Sequence, residues 1–226
     1  MYKRQLHEIE AQHAFVLYVG RDGNPAWNER CRRQADSLLL VADAQVTPDE
    51  LSSTTGIGET HQSASLLLLQ PGRIIAGAAR AWRSRLGLDQ HTHVRDSADI
   101  DRLARRIARR SVGVVFSGGG ARGLAHIGVI RGLREAGLAI DFVGGTSIGA
   151  LMAASVAMEW EDETLYQTFY RCFVASNPLN DYTLPMVSLF AGRKVSRLLR
   201  EEFSEGDIED LPRYRLRRTP RATGAT

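Results

Sequence analysis

The sequence has 226 residues, 43% hydrophobic content and a formal net charge of +3, values typical of one or two globular domains with apolar cores. No apolar stretch approaches the roughly 20 residues of a membrane-spanning helix, and the first apolar run is too short and too late for a signal peptide. Cys31 and Cys172 are far apart in the sequence, which argues against a disulfide framework and predicts reduced thiols in the cytoplasm. No His/Cys cluster has metal-ligand spacing, so we expect neither a metal nor a cofactor.

Residues 1–110 alternate between helix and strand patterns and predict a smaller α/β region with a parallel sheet. The predicted helices are 2–12, 26–36, 75–85 and 98–110. The predicted strands are 14–19, 37–41, 65–69 and 93–94, and the apolar run 14–19 is expected to be buried. The polar segment 43–63 predicts a loop with a short helix near 48–51.

Two features of this region leave alternatives open. His91 and His93 share one face of a predicted strand, as two metal ligands would, but without a third ligand nearby we favour a surface strand that carries two histidines. The last predicted helix has an apolar face of Ile100, Leu103 and Ile107 and a basic face of Arg102, Arg105, Arg106, Arg109 and Arg110. We interpret the basic face as solvated, with contact to acidic phospholipid headgroups as the alternative.

Residues 111–211 follow a pattern of strand, glycine loop, helix, strand, sharp turn and helix. The apolar run 112–116 predicts a buried parallel strand, 124–136 a helix and 141–143 a second strand. The second strand ends in Gly145-Thr146-Ser147-Ile148-Gly149, the G-x-S-x-G pattern at a strand-to-helix junction. A helix follows from residue 150, and 160–174 predicts another.

This spacing is typical of acyl transfer by a serine. Ser147 on a tight turn projects its hydroxyl above the sheet edge, within an elbow formed by Gly145, Thr146, Ile148 and Gly149. The loop after the first strand offers N–H groups that predict an oxyanion hole at Gly118, Gly119, Gly120, Ala121, Arg122 and Gly123. Both turns lie at the same end of adjacent parallel strands, so together they predict a serine-hydrolase half-site.

The same loop also fits the dinucleotide fingerprint Gly118-x-Gly120-x-x-Gly123, which alone is a weak signal. Nucleotide binding needs an acid at the carboxyl end of the second strand, whereas Asp141 lies at its start, and no Lys-Ser/Thr follows Gly123. All six histidines precede Ser147, so a Ser-Asp-His triad in that chain order is not available. We interpret His126 as a packed or capping histidine rather than as a base.

At Gly118–Gly123, Leu124-Ala125-His126-Ile127-Gly128 and Gly145–Gly149, the sequence resembles the patatin-like phospholipases, with a closer resemblance to the bacterial branch related to neuropathy target esterase. The resemblance covers about 113–211. It implies a three-layer α/β/α fold with a mainly parallel sheet, and a Ser–Asp dyad, with Ser147 as nucleophile, that hydrolyses acyl esters of phospholipids or lysophospholipids. The family aspartate lies in an Asp-Gly turn downstream of the serine. This chain has only Asp22-Gly23, far upstream, so we expect the dyad aspartate to be missing.

Residues 212–226 contain five arginines and two prolines, which predict a basic, disordered tail without a buried strand. The family continues here into another core strand, so we expect a chain truncated at both ends, with an incomplete sheet at the C-terminus. Three hypotheses result: a lipid ester hydrolase, a catalytically inactive remnant that at most binds acyl lipid, and a nucleotide-binding α/β protein. We expect a cytoplasmic location with peripheral contact at the inner face of the membrane, and no nucleic-acid partner, because the net charge comes largely from the tail.

Overall fold

The computed structural model of the chain describes residues 2–21, 23–48, 63–175, 200–203, 207–212 and 214–215. The fold is α/β, as the sequence predicts. Its helices are α1 Tyr2–Gln12, α2 Pro25–Gln34, α3 Ala78–Leu86, α4 Ser97–Ile107, α5 Ala125–Glu135, α6 Ile148–Ala157 and α7 Asp162–Tyr170. Its strands are β1 Leu38–Asp43, β2 Ala64–Leu69, β3 His91–Val94, β4 Gly113–Phe116, β5 Phe142–Gly145 and β6 Tyr214–Arg215. Short 3₁₀ turns occupy Gly120–Leu124 and Ile208–Asp210, and a π turn occupies Arg171–Ala175.

Strands β1, β2 and β3 form a parallel sheet in that order, which confirms the predicted parallel pairing of this region. Leu66 and Leu68 of β2 are fully buried, and they pack with Trp82 and Leu86 of α3. Trp82 also donates its indole N–H to the carbonyl of Val46, 3.1 Å away, which fixes the chain after β1 against α3. The predicted helix near 48–51 lies largely outside the described residues.

The prediction of a buried strand at 14–19 is wrong. This segment is irregular, and Phe15, Leu17 and Val19 are 59%, 77% and 76% exposed. A cavity of about 1080 Å³ is lined by residues 14–18 on one side and by residues of β1 and β2 on another. Alternating apolar side chains become buried only where a neighbouring strand or helix covers them, and in the described fold this segment faces an open cleft.

Strands β4, β5 and β6 form a second parallel sheet in that order. Its core contains Phe116 and Val143 from the strands and Met152 and Val156 from α6, all nearly or fully buried. Val115 alternates with these core positions and is 71% exposed on the strand's other side. The sheet therefore places the carboxyl ends of β4 and β5 side by side at one edge.

A short strand, β6, follows Leu211 within the predicted tail. Tyr214 pairs with Phe142, and Arg215 pairs with Val143, in parallel with β5. A two-residue edge strand uses its backbone for pairing, so an arginine-rich composition does not prevent it. Residues 216–226 lie outside the described part of the chain. Among the described residues, no helix is both long and apolar enough to cross a bilayer.

Helix α4 buries its predicted apolar face only in part, at Leu103. Ile100 and Ile107 are 54% and 39% exposed, whereas the side chain of Arg102 is only 14% exposed. Arg102 and Arg105 form ion pairs with buried carboxylates rather than facing solvent. The interpretation of this basic face as solvated is therefore wrong for these two arginines, and their engagement argues against lipid headgroup contact through them.

The interpretation of His91 and His93 as surface residues is also wrong. Both are buried, and the Nε2 atoms of both lie 2.8 Å from the carbonyl of Glu209, which only accepts, so both Nε2 atoms donate. His93 Nδ1 lies 2.8 Å from Nε2 of Gln70 and accepts from it. The described residues contain no group of three or more side chains suited to holding a metal ion. The two histidines thus join β3 to the 3₁₀ turn Ile208–Asp210.

Candidate active site

Ser147 lies on a sharp turn between β5 and α6, as the G-x-S-x-G spacing predicts. Its backbone has φ 54° and ψ −129°, and the residue is exposed. A residue other than glycine rarely adopts a positive φ, and such backbone strain is concentrated at functional sites. The turn leaves the serine at the amino end of α6, where the helix dipole favours negative charge.

Gly145 and Gly149 are required by the backbone of this turn. A Cβ at Gly145 would lie 2.1 Å from the carbonyl oxygen of Gly149. A Cβ at Gly149 would lie 2.3 Å from the carbonyl oxygen of Phe116, at the end of β4. Thr146 donates its N–H to the same carbonyl, at 3.2 Å. The elbow therefore packs against the end of β4 with no room for a side chain at either glycine.

The loop 118–123 lies directly against the elbow. A Cβ at Gly118 would be 3.3 Å from Cβ of Ser147, and a Cβ at Gly123 would be 2.2 Å from Cγ2 of Ile148. Gly119 and Gly120 have φ 152° and 55°, conformations that glycine adopts without strain. The structure thus brings the two predicted halves of the site together.

The N–H groups of this loop differ in their engagement. Arg122 donates its N–H to the carbonyl of Gly119 at 3.3 Å, inside the 3₁₀ turn, and Ala121 and Arg122 are exposed. Within the described part of the chain, the N–H groups of Gly118 and Gly119 meet no acceptor. Unpaired backbone donors beside a serine hydroxyl are what an oxyanion requires.

His126 is placed as a structural residue. Its Nε2 lies 3.0 Å from the carbonyl of Ser117 and donates to it, and its ring packs against Phe116 with centroids 5.3 Å apart. The Ser147 hydroxyl makes no hydrogen bond to any residue that the structure describes. Asp207 forms an ion pair with Arg80 of α3, and Asp181 lies outside the described residues.

Two acidic residues that flank the elbow segment are not identified by any local sequence pattern. Asp141, which the sequence suggests only as a ribose ligand, is buried and binds Arg105 of α4. Glu159, just after α6, binds Arg95. These carboxylates are 36 and 64 residues from their arginines, so no local pattern identifies the pairs.

Two family models together match nearly the whole chain. A patatin-like phospholipase model matches residues 114–225, and a neuropathy target esterase family P-loop like domain model matches residues 2–115. The first match extends beyond residue 211, to residue 225. The glycine loop 118–123 falls in the patatin-like part, not in the P-loop-like part.

Similar proteins include uncharacterized NTE family proteins of Mycobacterium tuberculosis and Mycobacterium bovis, each 36% identical over 213 residues, covering 94% of this chain and 35% of the relative. Neuropathy target esterase sws of Drosophila melanogaster is 31% identical over 245 residues, covering 91% of this chain and 17% of that protein. No solved structure matches. The chain belongs to the neuropathy target esterase family, within the patatin-like phospholipases. It spans about a third of the length of its mycobacterial relatives.

Proposed function

We propose that this chain carries the nucleophile half-site of a lipid ester hydrolase. The observation that carries the proposal is the strained backbone of Ser147, φ 54°, in contact range of a glycine loop in which the N–H groups of Gly118 and Gly119 meet no acceptor among the described residues. Family membership supports an ester of a phospholipid or lysophospholipid as substrate. The chemistry requires neither a metal nor another cofactor.

In this mechanism the Ser147 oxygen attacks the acyl carbonyl carbon. The carbonyl oxygen becomes an oxyanion, which the N–H groups of Gly118 and Gly119 stabilise, and the amino end of α6 favours the same charge. Collapse of the intermediate breaks the ester C–O bond, releases the alcohol and leaves an acyl-serine that water hydrolyses. Losing one oxyanion donor typically lowers the rate roughly 100- to 1000-fold.

The proton of Ser147 needs an acceptor. The family resemblance implies an aspartate from an Asp-Gly turn, and no Asp-Gly follows Ser147 in this sequence. We therefore propose that the chain alone transfers acyl groups slowly, because the serine must release its proton to water. Loss of one catalytic partner typically costs several powers of ten while leaving residual catalysis by the oxyanion donors.

The same missing turn favours a second candidate function, a catalytically inactive remnant that at most binds acyl lipid. Both candidate functions involve a membrane lipid, so in either case the protein would act at a membrane surface. We propose peripheral contact with the inner face of the membrane from the cytoplasm, because the ester bonds of phospholipids lie at that surface.

The test compares the purified chain with its Ser147→Ala variant, using Ser97→Ala of α4 as a control at another exposed serine. Each protein is treated with a fluorophosphonate, which forms an Oγ–P bond with a reactive serine and releases fluoride, and the adduct is located by peptide mass spectrometry. Hydrolysis of p-nitrophenyl butyrate and of lysophosphatidylcholine is measured in parallel.

We expect one adduct at Ser147, slow ester turnover, and loss of both in Ser147→Ala but not in Ser97→Ala. Equal labelling and turnover in all three folded proteins would refute the hydrolase proposal. In that case, lipid binding measured by sedimentation with phosphatidylcholine–phosphatidylglycerol vesicles would support the inactive-remnant candidate.

A further inference from the structure

The segment that carries Ser147 is held at both ends by arginines on helix α4 of the N-terminal region or just before it. Asp141 directly precedes β5, and Glu159 follows α6 by two residues. Between these two acids lie the strand, the elbow and the helix. Arginines on or next to α4 bind both acids. A single helix outside the patatin-like match therefore contacts both ends of the segment that carries Ser147.

The Asp141 end of this connection is buried and fully bonded. The Asp141 side chain is 1% exposed, and Arg105 donates to its Oδ1 from Nη2 at 2.7 Å and from Nε at 3.0 Å. Oδ2 accepts the N–H of Val112 at 2.9 Å, and the Asp141 N–H donates to the carbonyl of Val112, also at 2.9 Å. One carboxylate thus fixes the starts of both β4 and β5.

The Glu159 end combines an ion pair with a strained backbone. Arg95 binds the carboxylate of Glu159 through two nitrogens, Nη1 at 2.8 Å and Nη2 at 3.1 Å. Asp99, which is fully buried, accepts from Arg95 Nε at 2.8 Å and from Arg102 Nη1 at 2.8 Å. Burial alone would raise the pKa of Asp99, but hydrogen bonds and charge from Arg95, with Arg102, lower it on balance. Arg95, Asp99, Arg102 and Glu159 therefore form a charged and tightly connected cluster.

Glu159 has φ 59°, at the position after a helix where glycine is usual. The N–H of Trp160 donates to Ser155 and the N–H of Glu159 to Val156, which is the Schellman ending. Arg109 ends α4 in the same way, with φ 56° and the same two hydrogen bonds, but its side chain is exposed. Glu159 thus has a backbone conformation that favours glycine, while its side chain belongs to the ion-pair cluster. This combination points to a role for Glu159 beyond ending the helix.

We propose that α4 is the positioning element of the nucleophile elbow, with Arg95, Arg102 and Arg105 as positioning residues that hold Ser147 through Glu159 and Asp141. The proposal rests on the proposed function for its catalytic consequence. A residue with a strained backbone persists only where its surroundings over-determine it, and two anchored ends supply that constraint. The patatin-like half-site then depends on the N-terminal region for its geometry.

The experiment compares Glu159→Gly with Arg109→Gly in the full chain. Both changes relieve the same backbone strain, but only the first removes a carboxylate from the cluster. The first readout is amide hydrogen exchange of a peptide covering residues 145–152, which is independent of catalysis. The second is the rate constant for fluorophosphonate labelling of Ser147.

We expect Glu159→Gly to raise exchange in the elbow peptide and to slow labelling on the order of 10- to 100-fold, since a displacement of about 1 Å can lower a rate 100-fold. Arg109→Gly should change neither. Arg95→Lys, which keeps the charge but not the two-nitrogen contact, should give an intermediate effect, and it replaces Glu159→Gly as the test if that variant does not fold.

If amide hydrogen exchange of residues 145–152 is unchanged in folded Glu159→Gly and Arg95→Lys, the positioning proposal is overturned. If wild-type Ser147 does not label at all, the proposed function fails, but the exchange comparison still decides whether α4 holds the elbow. If labelling slows equally in Arg109→Gly, the effect comes from general destabilisation, and the positioning proposal is refuted.

Discussion

Gly149→Ala is the sharpest test of the elbow's packing. A Cβ at this position would lie 2.3 Å from the carbonyl oxygen of Phe116 and 2.5 Å from that of Ser117. Carbon and carbonyl oxygen ordinarily approach to about 3.3 Å, so α6 and the end of β4 must separate by about 1 Å. Both contacts are backbone atoms, which cannot rotate away as a side chain could.

The expected loss of stability follows from this displacement. Overpacking a dense interior typically costs about 1–3 kcal/mol, and two rigid contacts place this site at about 3 kcal/mol. For a chain of this size, each kcal/mol corresponds to roughly 2–4 °C in Tm, so Tm should fall by about 6–12 °C. The chain should still fold, since domains of this kind are usually stable by about 5–15 kcal/mol.

The matched control is Gly132→Ala in α5, where an added Cβ meets nothing within 4 Å. This change should raise stability by about 0.5–1 kcal/mol, because alanine loses less entropy than glycine in a helix. Both proteins are measured by calorimetry and urea unfolding. A Gly149→Ala variant as stable as Gly132→Ala would refute the close approach of the elbow to β4.

Two further predictions concern strain and pH. Ser147→Gly should abolish fluorophosphonate labelling while raising the free energy of unfolding by about 1–3 kcal/mol, because glycine adopts φ 54° without strain; a less stable variant would contradict the strained elbow. Burial lowers the pKa of His91 from 6.5 to about 4, so the folded state favours neutral His91. Its contribution to stability is complete above pH 6.5 and should decline by about 1.4 kcal/mol per pH unit as the pH falls towards 4. Urea unfolding across this range should show a shallower decline in His91→Gln, and an unchanged slope would contradict the assignment.

The parts of the fold that were predicted correctly depend on local chemistry. Gly145, Ser147 and Gly149 mark a turn that only a few residue types can form, so sequence spacing locates it. The contact between Gly118 and Ser147 also follows, since adjacent parallel strands end at the same edge. Backbone constraints of this kind are encoded within a few residues.

The parts that were missed depend on partners far away in the sequence. The sequence of an amphipathic helix shows two faces but does not show which of them packs against the rest of the protein. Arg102 and Arg105 of α4 turn inward because carboxylates of Glu159 and Asp141 lie there. The burial of His91 and His93 similarly depends on the Glu209 carbonyl, more than 110 residues later. Such pairings become visible only in three dimensions.

The exposed segment 14–19 has a consequence for the behaviour of the chain in solution. Phe15, Leu17 and Val19 face solvent in an uncharged run without proline, and β1 is an edge strand of the described sheet. Runs of this kind promote intermolecular β-pairing and aggregation. A lysine at Leu17, which is 77% exposed, would act as a gatekeeper against such association. Self-association of the chain should therefore rise with concentration and be governed by these six residues rather than by the turn at Ser147 and its glycine loop.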